Sequence, residues 1–191
     1  MSASALRCAA LGALAALGAG SAAAQVTVFG GGLGRDCYLA VKEGGTGFSA
    51  ARDICDLALA EERMTSRDRA ATHVNRGIIY MRQGQFGRAV SDYERAIDLR
   101  SDMPEAHTNL GAALFSMGRY QEALRELNRG VESEDPKARA IAHYNRGLVQ
   151  ERLEDVTAAY FDYKAAEELD PEFEQPKQAL TRFTVQVVSD S

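Results

Sequence analysis

Apolar and small residues recur along most of this chain with the i, i+3, i+4, i+7 spacing of an amphipathic helix. One such pattern occurs three times, at intervals of 34 and 36 residues, and its copies share a glycine, at Gly77, Gly111 and Gly147. A second amphipathic pattern follows each copy. In the first two copies a short turn, around Gly84 and around Gly118, separates the first pattern from the second. The repetition predicts three helical hairpins in tandem.

The small and aromatic residues of these units follow a known spacing. The matching residues are Gly77, Tyr80, Ala89, Tyr93 and Ala96 in the first unit, Leu110, Gly111, Leu114, Ala123 and Leu127 in the second, and Gly147, Ala159, Tyr163, Ala166 and Pro171 in the third. They resemble the tetratricopeptide repeat, whose pattern runs W-x2-L-G-x2-Y, then A-x3-F, then A and P. The resemblance implies an all-α fold, a right-handed superhelix of stacked antiparallel helical hairpins. Three units would occupy residues 70–103, 104–139 and 140–173.

The flanks of the array extend the same architecture. Residues 35–69 repeat the second-helix spacing around Ala51 and are predicted to form a degenerate N-terminal hairpin. Residues 174–191 are predicted to be a capping helix and a tail, because the end of a solenoid must be covered. Residues 25–34 are predicted to be a flexible glycine-rich leader, since they lack the Lys-Ser/Thr pair of a phosphate-binding loop.

Residues 1–24 have the order of a cleavable signal peptide. One positive charge at Arg7 precedes an apolar run over residues 8–20, and small residues follow it as far as Ala24. This order predicts export with cleavage after Ala24, and an N-terminal helix of the domain is the alternative. The apolar run is shorter than the ~20 residues that span a bilayer. We therefore expect a periplasmic or secreted protein with no stable membrane insertion after signal cleavage.

Export would place the two cysteines that remain after cleavage in a compartment that permits disulfides. Cys37 and Cys55 lie at equal distances from Thr46 in a glycine-rich turn, so two antiparallel helices would place them at the same height. A disulfide between them is predicted in an oxidising compartment, and two buried free thiols are the alternative. A metal site is disfavoured, because no histidine or further cysteine lies near them in the sequence.

Charge and composition narrow the classes of function. The chain has 22 basic and 27 acidic residues and a net charge of −5, whereas nucleic-acid binding needs clustered positive charge. One histidine per unit, at His73, His107 and His143, gives neither a metal set nor a catalytic pair, and these residues are predicted to pack at helix interfaces. We therefore predict a protein that is not an enzyme, with no cofactor, no metal and no nucleic-acid partner.

The concave face of the predicted superhelix is the candidate binding surface. In the resembled family this face usually holds a peptide segment of a partner. The inward positions of this chain are Val74, Asn75, Ile78, Arg82, Asn109, Phe115, Tyr144, Asn145 and Leu148. They combine an apolar set with a ladder of three asparagines, whose side-chain amides both donate and accept hydrogen bonds. These asparagines would bond either a peptide backbone or a neighbouring hairpin.

The predicted function is therefore a non-enzymatic protein interaction module of the cell envelope. It would bind a peptide segment of a protein partner in the concave groove. A structural subunit of a larger envelope complex is the alternative. A carbohydrate or cell-wall binder is less favoured, because only Phe115 and Tyr144 could stack on sugars there. The sequence leaves the oligomeric state open.

Overall fold

Nine helices follow one another in the part of the chain that the structure, a computed structural model, describes: residues 5–10, 22–24, 27–28, 32–43, 47–61 and 63–188. Eight of them form four pairs, α1 (Leu33–Glu43) with α2 (Phe48–Glu61), α3 (Ser66–Arg82) with α4 (Phe86–Leu99), α5 (Pro104–Ser116) with α6 (Tyr120–Gly130), and α7 (Pro136–Arg152) with α8 (Val156–Leu169). The ninth is α9 (Glu174–Leu180). Each pair packs on the next. The predicted all-α superhelix of stacked helical hairpins is confirmed.

Side-chain caps mark where α3 and α7 begin. Thr65 accepts a hydrogen bond from the Asp68 amide at 3.1 Å, so α3 begins at Ser66, ahead of the predicted start at residue 70. Asp135 accepts from the Lys137 amide at 3.0 Å, and α7 accordingly begins at Pro136 rather than at residue 140. The first helix of these two units is therefore longer than the repeat pattern predicts.

Each hairpin turn needs one residue in the left-handed backbone region. Gly84 and Gly118 supply it in the first two units, with φ of 70° and 75°. Glu154 takes the same place in the third unit with φ of 65°, and it is the only non-glycine residue with positive φ in the described part of the chain. A side chain in this conformation costs roughly 1–2 kcal/mol. The packing of α7 on α8 must hold this turn against that cost.

Glycines bring the two helices of each of the three repeat units, α3 with α4, α5 with α6 and α7 with α8, into close contact. A Cβ atom at Gly111 would lie 2.5 Å from Leu127 Cγ, and one at Gly147 would lie 2.6 Å from Tyr163 Cε1. The side chains of Leu127 and Tyr163 are fully buried at these contacts. The recurring glycine of the sequence pattern is therefore a packing residue.

A disulfide closes the first hairpin. Cys37 on α1 and Cys55 on α2 are joined with their Cα atoms 4.8 Å apart, and neither residue is exposed. Arg82 of α3 donates a hydrogen bond to the carbonyl of Val41 at 2.9 Å and so links this hairpin to the next. The turn at residues 44–46, about which the cysteines were predicted to be symmetric, lies outside the described residues.

The two ends of the chain are arranged differently from the sequence prediction. Strand β1 (Ala5–Ala10) pairs antiparallel with β2 (Phe183–Val188), so residues expected in a C-terminal tail form a two-stranded ribbon with residues expected in the signal peptide. In the predicted flexible leader, Val28 is only 5% exposed, and α1 begins at Leu33 rather than at residue 35. Residues 11–21 of the predicted signal peptide and residues 25–26 and 29–31 of the leader lie outside the described residues. Within the described ranges no helix combines the length and the apolar character needed to cross a membrane.

Candidate functional site

Two asparagines of the concave face hold a short segment of the chain itself. Asn109 on α5 accepts a hydrogen bond from the Ala24 amide at 2.9 Å and donates one to the Ala24 carbonyl at 2.7 Å. Asn145 on α7 bonds the same two groups of Ala22, at 3.2 Å and 2.8 Å. Each side-chain amide thus satisfies both backbone groups of one residue. The structure shows these asparagines bonding a backbone segment rather than a neighbouring hairpin.

The segment has a regular register on the array. Its bonded residues are two apart in sequence, whereas the asparagines that bond them are one repeat apart. Alternate residues of an extended chain face the same side, so an extended segment can meet one asparagine in each successive unit. The segment runs from the third unit towards the second in its N-to-C direction. Asn75 has the equivalent place in the first unit and is fully buried.

A cavity of about 490 Å³ lies beside this segment. Its wall consists largely of apolar side chains from α3, α4 and α5, namely Ile78, Met81, Phe86, Ala112 and Phe115. Polar atoms come from Arg82, Tyr93, Asn109 and Ser116. Ala23, the residue between the two bonded alanines, also lines the cavity. An apolar wall with a few polar groups is typical of a ligand pocket.

Tyr93 is a buried tyrosine at this cavity whose hydroxyl has no hydrogen-bond partner among the described residues. Its counterpart in the third unit, Tyr163, donates to Glu151 Oε2 at 2.7 Å. Met81 stands in the first unit where the third has Glu151, and a thioether is only a weak acceptor. Burial raises the pKa of Tyr93 well above its ordinary value, and the charge of Asp92 raises it further. The Tyr93 hydroxyl therefore keeps its proton and can donate.

The predicted apolar groove residues are covered rather than open to solvent. Four of them are between 0% and 8% exposed: Val74, Ile78, Tyr144 and Leu148. Tyr144 packs edge-on against Phe173 with ring centroids 5.2 Å apart, and Ala22 packs against the same cluster. The guanidinium of Arg152 lies 6.0 Å from the centre of the Phe115 ring. Other parts of the chain therefore cover these four predicted groove residues.

Buried ion pairs join the two helices of a hairpin. His73 Nδ1 lies 2.9 Å from Asp92 Oδ1, and Arg76 donates to the two oxygens of this carboxylate at 2.6 Å and 2.8 Å. Asp162 has equivalent partners in the third unit. Burial alone would raise the pKa of Asp92, but the hydrogen bonds from Arg76 and His73 bring it below its ordinary value. The histidines thus serve helix contacts, and in the described part of the chain no three His, Cys, Asp or Glu side chains converge where a metal could bind.

The array of hairpins, the glycine-mediated contacts and the asparagine-lined concave face define a helical repeat solenoid. A family model described as the tetratricopeptide repeat matches residues 74–139 and 113–172, which together span more than half of the chain. The chain belongs to the tetratricopeptide repeat family, as the residue spacing indicates.

Solved structures of this family share the fold at low sequence identity. MamA from Desulfovibrio magneticus RS-1 is 22% identical with a TM-score of 0.61, over 78% of this chain and 82% of that one. YrrB, described as having an unusual peptide-binding site, is 22% identical with a TM-score of 0.61, over 77% and 71% of the two chains. The second repeat domain of human RPAP3, in complex with the HSP70 peptide SGPTIEEVD, is 21% identical with a TM-score of 0.53, over 59% and 92%.

The structure places seven of the nine predicted groove residues in two regions. Ile78, Arg82, Asn109 and Phe115 meet at the cavity, whereas Tyr144, Asn145 and Leu148 lie farther along the array, where Ala22 contacts Asn145 and packs near Tyr144. Val74 is in the core between the hairpins. Two features escaped the sequence prediction, the Tyr93 hydroxyl and the bound segment at residues 22–24. Comparing Met81 with Glu151 across the units is a sequence signal that could have found the first.

Proposed function

We propose that this protein is a non-enzymatic interaction module of the cell envelope that binds an extended peptide segment of a partner protein in its concave groove. The observation that carries the proposal is the set of four hydrogen bonds from Asn109 and Asn145 to the backbone of Ala24 and Ala22. They engage no side chain of the bound segment. A groove that bonds its own chain in this way can bond a partner's chain by the same groups.

Peptide complexes within the family support this proposal. The structure of the human RPAP3 repeat domain contains a peptide of HSP70, and YrrB has an unusual peptide-binding site. A role without catalysis is consistent with the general role of the family as scaffolds.

Signal cleavage after Ala24 would connect export with binding. The residues that Asn109 and Asn145 bond, Ala24 and Ala22, both precede the predicted cleavage point. Cleavage there would remove the segment from the groove and leave both side-chain amides available to a partner. The mature envelope protein would then bind a segment of a partner protein in the groove that the precursor fills with its own residues 22–24.

A titration of the protein recovered from the periplasm tests the proposal. The probe is a synthetic peptide with the sequence of residues 18–28, and the variants are Asn109→Ala and Asn145→Ala. Each variant loses two backbone hydrogen bonds of about 0.5–1.5 kcal/mol each, so affinity should fall by about 5- to 150-fold. Asn128→Ala is the matched control, because Asn128 is exposed on α6 and bonds only Arg146 among the described residues. Equal affinity for the parent and both groove variants would show that the groove does not bind peptides through these residues.

The two alternative functions, a structural subunit and a carbohydrate binder, predict different properties of the protein. A structural subunit of an envelope complex would be insoluble without its co-expressed partner, and its binding would depend on the outer face, for example on the 52% exposed ring of Phe161. A carbohydrate binder would need open aromatic faces, but Phe173 packs edge-on against Tyr144 and Arg152 lies over Phe115. The peptide-binding proposal is therefore the one that the site supports best.

A further inference from the structure

Of residues 22–24 in the bound segment, Ala23 is the one that lines the cavity. Ala23 lies between the two backbone-bonded alanines and lines the cavity. Its methyl group has no polar atom, so it makes no hydrogen bond to the polar groups of the wall. Ala23 is exposed apart from this contact, so a longer side chain at this position has room to extend along the cavity wall.

Two hydrogen-bond donors of the wall have no acceptor on the segment. The Tyr93 hydroxyl is buried without a partner among the described residues. Arg82 carries the only formal charge among the described residues that line the cavity, and its one hydrogen bond within the described chain goes to the Val41 carbonyl at 2.9 Å. The rest of the wall is apolar except for Asn109, which bonds Ala24, and Ser116, which donates to the Ala112 carbonyl. The complement of such a wall is a side chain with an apolar stem and a negatively charged acceptor at its end.

We propose that the groove selects a partner peptide with a glutamate at the position of Ala23, between two small residues whose backbones bond Asn109 and Asn145. The glutamate carboxylate accepts hydrogen bonds from the Tyr93 hydroxyl and the Arg82 guanidinium, and its methylene groups contact the apolar wall. This inference rests on the proposed function, because it assumes that a partner takes the register of residues 22–24.

The chain's own segment provides the test. The full chain, with residues 1–24 retained and the disulfide formed, is compared with its Ala23→Glu, Ala23→Gln and Ala23→Leu variants. The readout is the hydrogen exchange rate of the Ala24 amide, which donates to Asn109 Oδ1 at 2.9 Å. A charge-assisted hydrogen bond should slow this exchange by about tenfold or more in Ala23→Glu, with a smaller effect in Ala23→Gln and little in Ala23→Leu.

A second substitution added to Ala23→Glu identifies which wall residues bind the glutamate carboxylate. Arg82→Met and Tyr93→Phe should each remove most of the slowing that Ala23→Glu produces. Tyr163→Phe is the matched control for Tyr93→Phe, because it deletes a hydroxyl that bonds Glu151 elsewhere in the array. It should lower the melting temperature and leave the effect of Ala23→Glu unchanged.

Each outcome decides between the two proposals. If Ala23→Leu slows exchange as much as Ala23→Glu, or if Arg82→Met leaves the effect intact, the cavity does not select a glutamate. If Ala23→Glu has no effect while Asn109→Ala speeds the exchange of the Ala24 amide, only the glutamate inference fails. If Asn109→Ala leaves that exchange unchanged, the register itself is wrong and the proposed function fails with it.

Discussion

Replacing Gly111 tests the helix packing on which the whole array depends. A Cβ atom there would lie 2.5 Å from Leu127 Cγ and 3.1 Å from the Ala123 carbonyl oxygen. Carbon atoms in contact prefer about 3.5–4.0 Å, so α5 and α6 must separate by roughly 1 Å or Leu127 must leave its rotamer. Leu127 and Ala123 are both fully buried, which leaves the side chain no free direction.

Two terms of opposite sign set the size of the effect. Overpacking costs about 1–3 kcal/mol, whereas replacing a helical glycine by alanine gains about 1 kcal/mol. Gly111→Ala should therefore lower the free energy of unfolding by about 1 kcal/mol, and Gly111→Leu by about 3 kcal/mol or more. In a chain of this length each kcal/mol lowers Tm by about 2–4 °C.

Thermal unfolding followed by circular dichroism measures the loss, and another glycine of the array supplies the control. Gly87 is also helical, but a Cβ atom at Gly87 would meet nothing within 4 Å. Gly87→Ala should keep or slightly raise Tm. If Gly111→Ala melts at or above the parent, or in step with Gly87→Ala, then the glycine is not a contact residue and the packing inferred for the hairpins is wrong.

Three further substitutions and one mass measurement have defined outcomes. The Cys37→Ser, Cys55→Ser double variant should lose about 3 kcal/mol in chemical unfolding, because its cysteines are 18 residues apart, and two alkylatable thiols in the folded oxidised parent would contradict the disulfide. Glu154→Gly should gain about 1 kcal/mol by relieving its φ of 65°, and Glu154→Ala should gain nothing. Because hydrogen bonds lower the folded-state pKa of Asp92, its stabilisation is present above the ordinary carboxyl pKa of about 4 and is lost as pH falls below it; Asp92→Asn should flatten the acid side of a stability profile. Intact-mass measurement of the periplasmic protein should show a chain that begins after Ala24, and a mass starting at Met1 or a cytoplasmic location would contradict export.

Local spacing was sufficient to predict the repeat architecture. The recurrence of Gly77, Gly111 and Gly147 at one position, each followed by a second amphipathic helix, depends only on residues that are close in the chain. Amphipathic periodicity and turn glycines act over one hairpin, so a single unit already determines its own helices and their mutual packing. The same logic placed Asn109 and Asn145 on the inner face.

Only the tertiary structure decided what those inner faces contact. Ala24 bonds Asn109 across 85 residues of sequence and Ala22 bonds Asn145 across 123, and no periodic pattern links such distant residues. The pairing of β1 with β2 joins the two ends of the chain and is equally invisible to spacing. The hydroxyl of Tyr93 is unpartnered among the described residues because Met81, on the facing helix α3, stands where the third unit has the acceptor Glu151. This difference matters only once both side chains line the same cavity. Periodicity determines which face of a helix is inward, whereas the groups that meet there depend on how the folded units bring distant segments together.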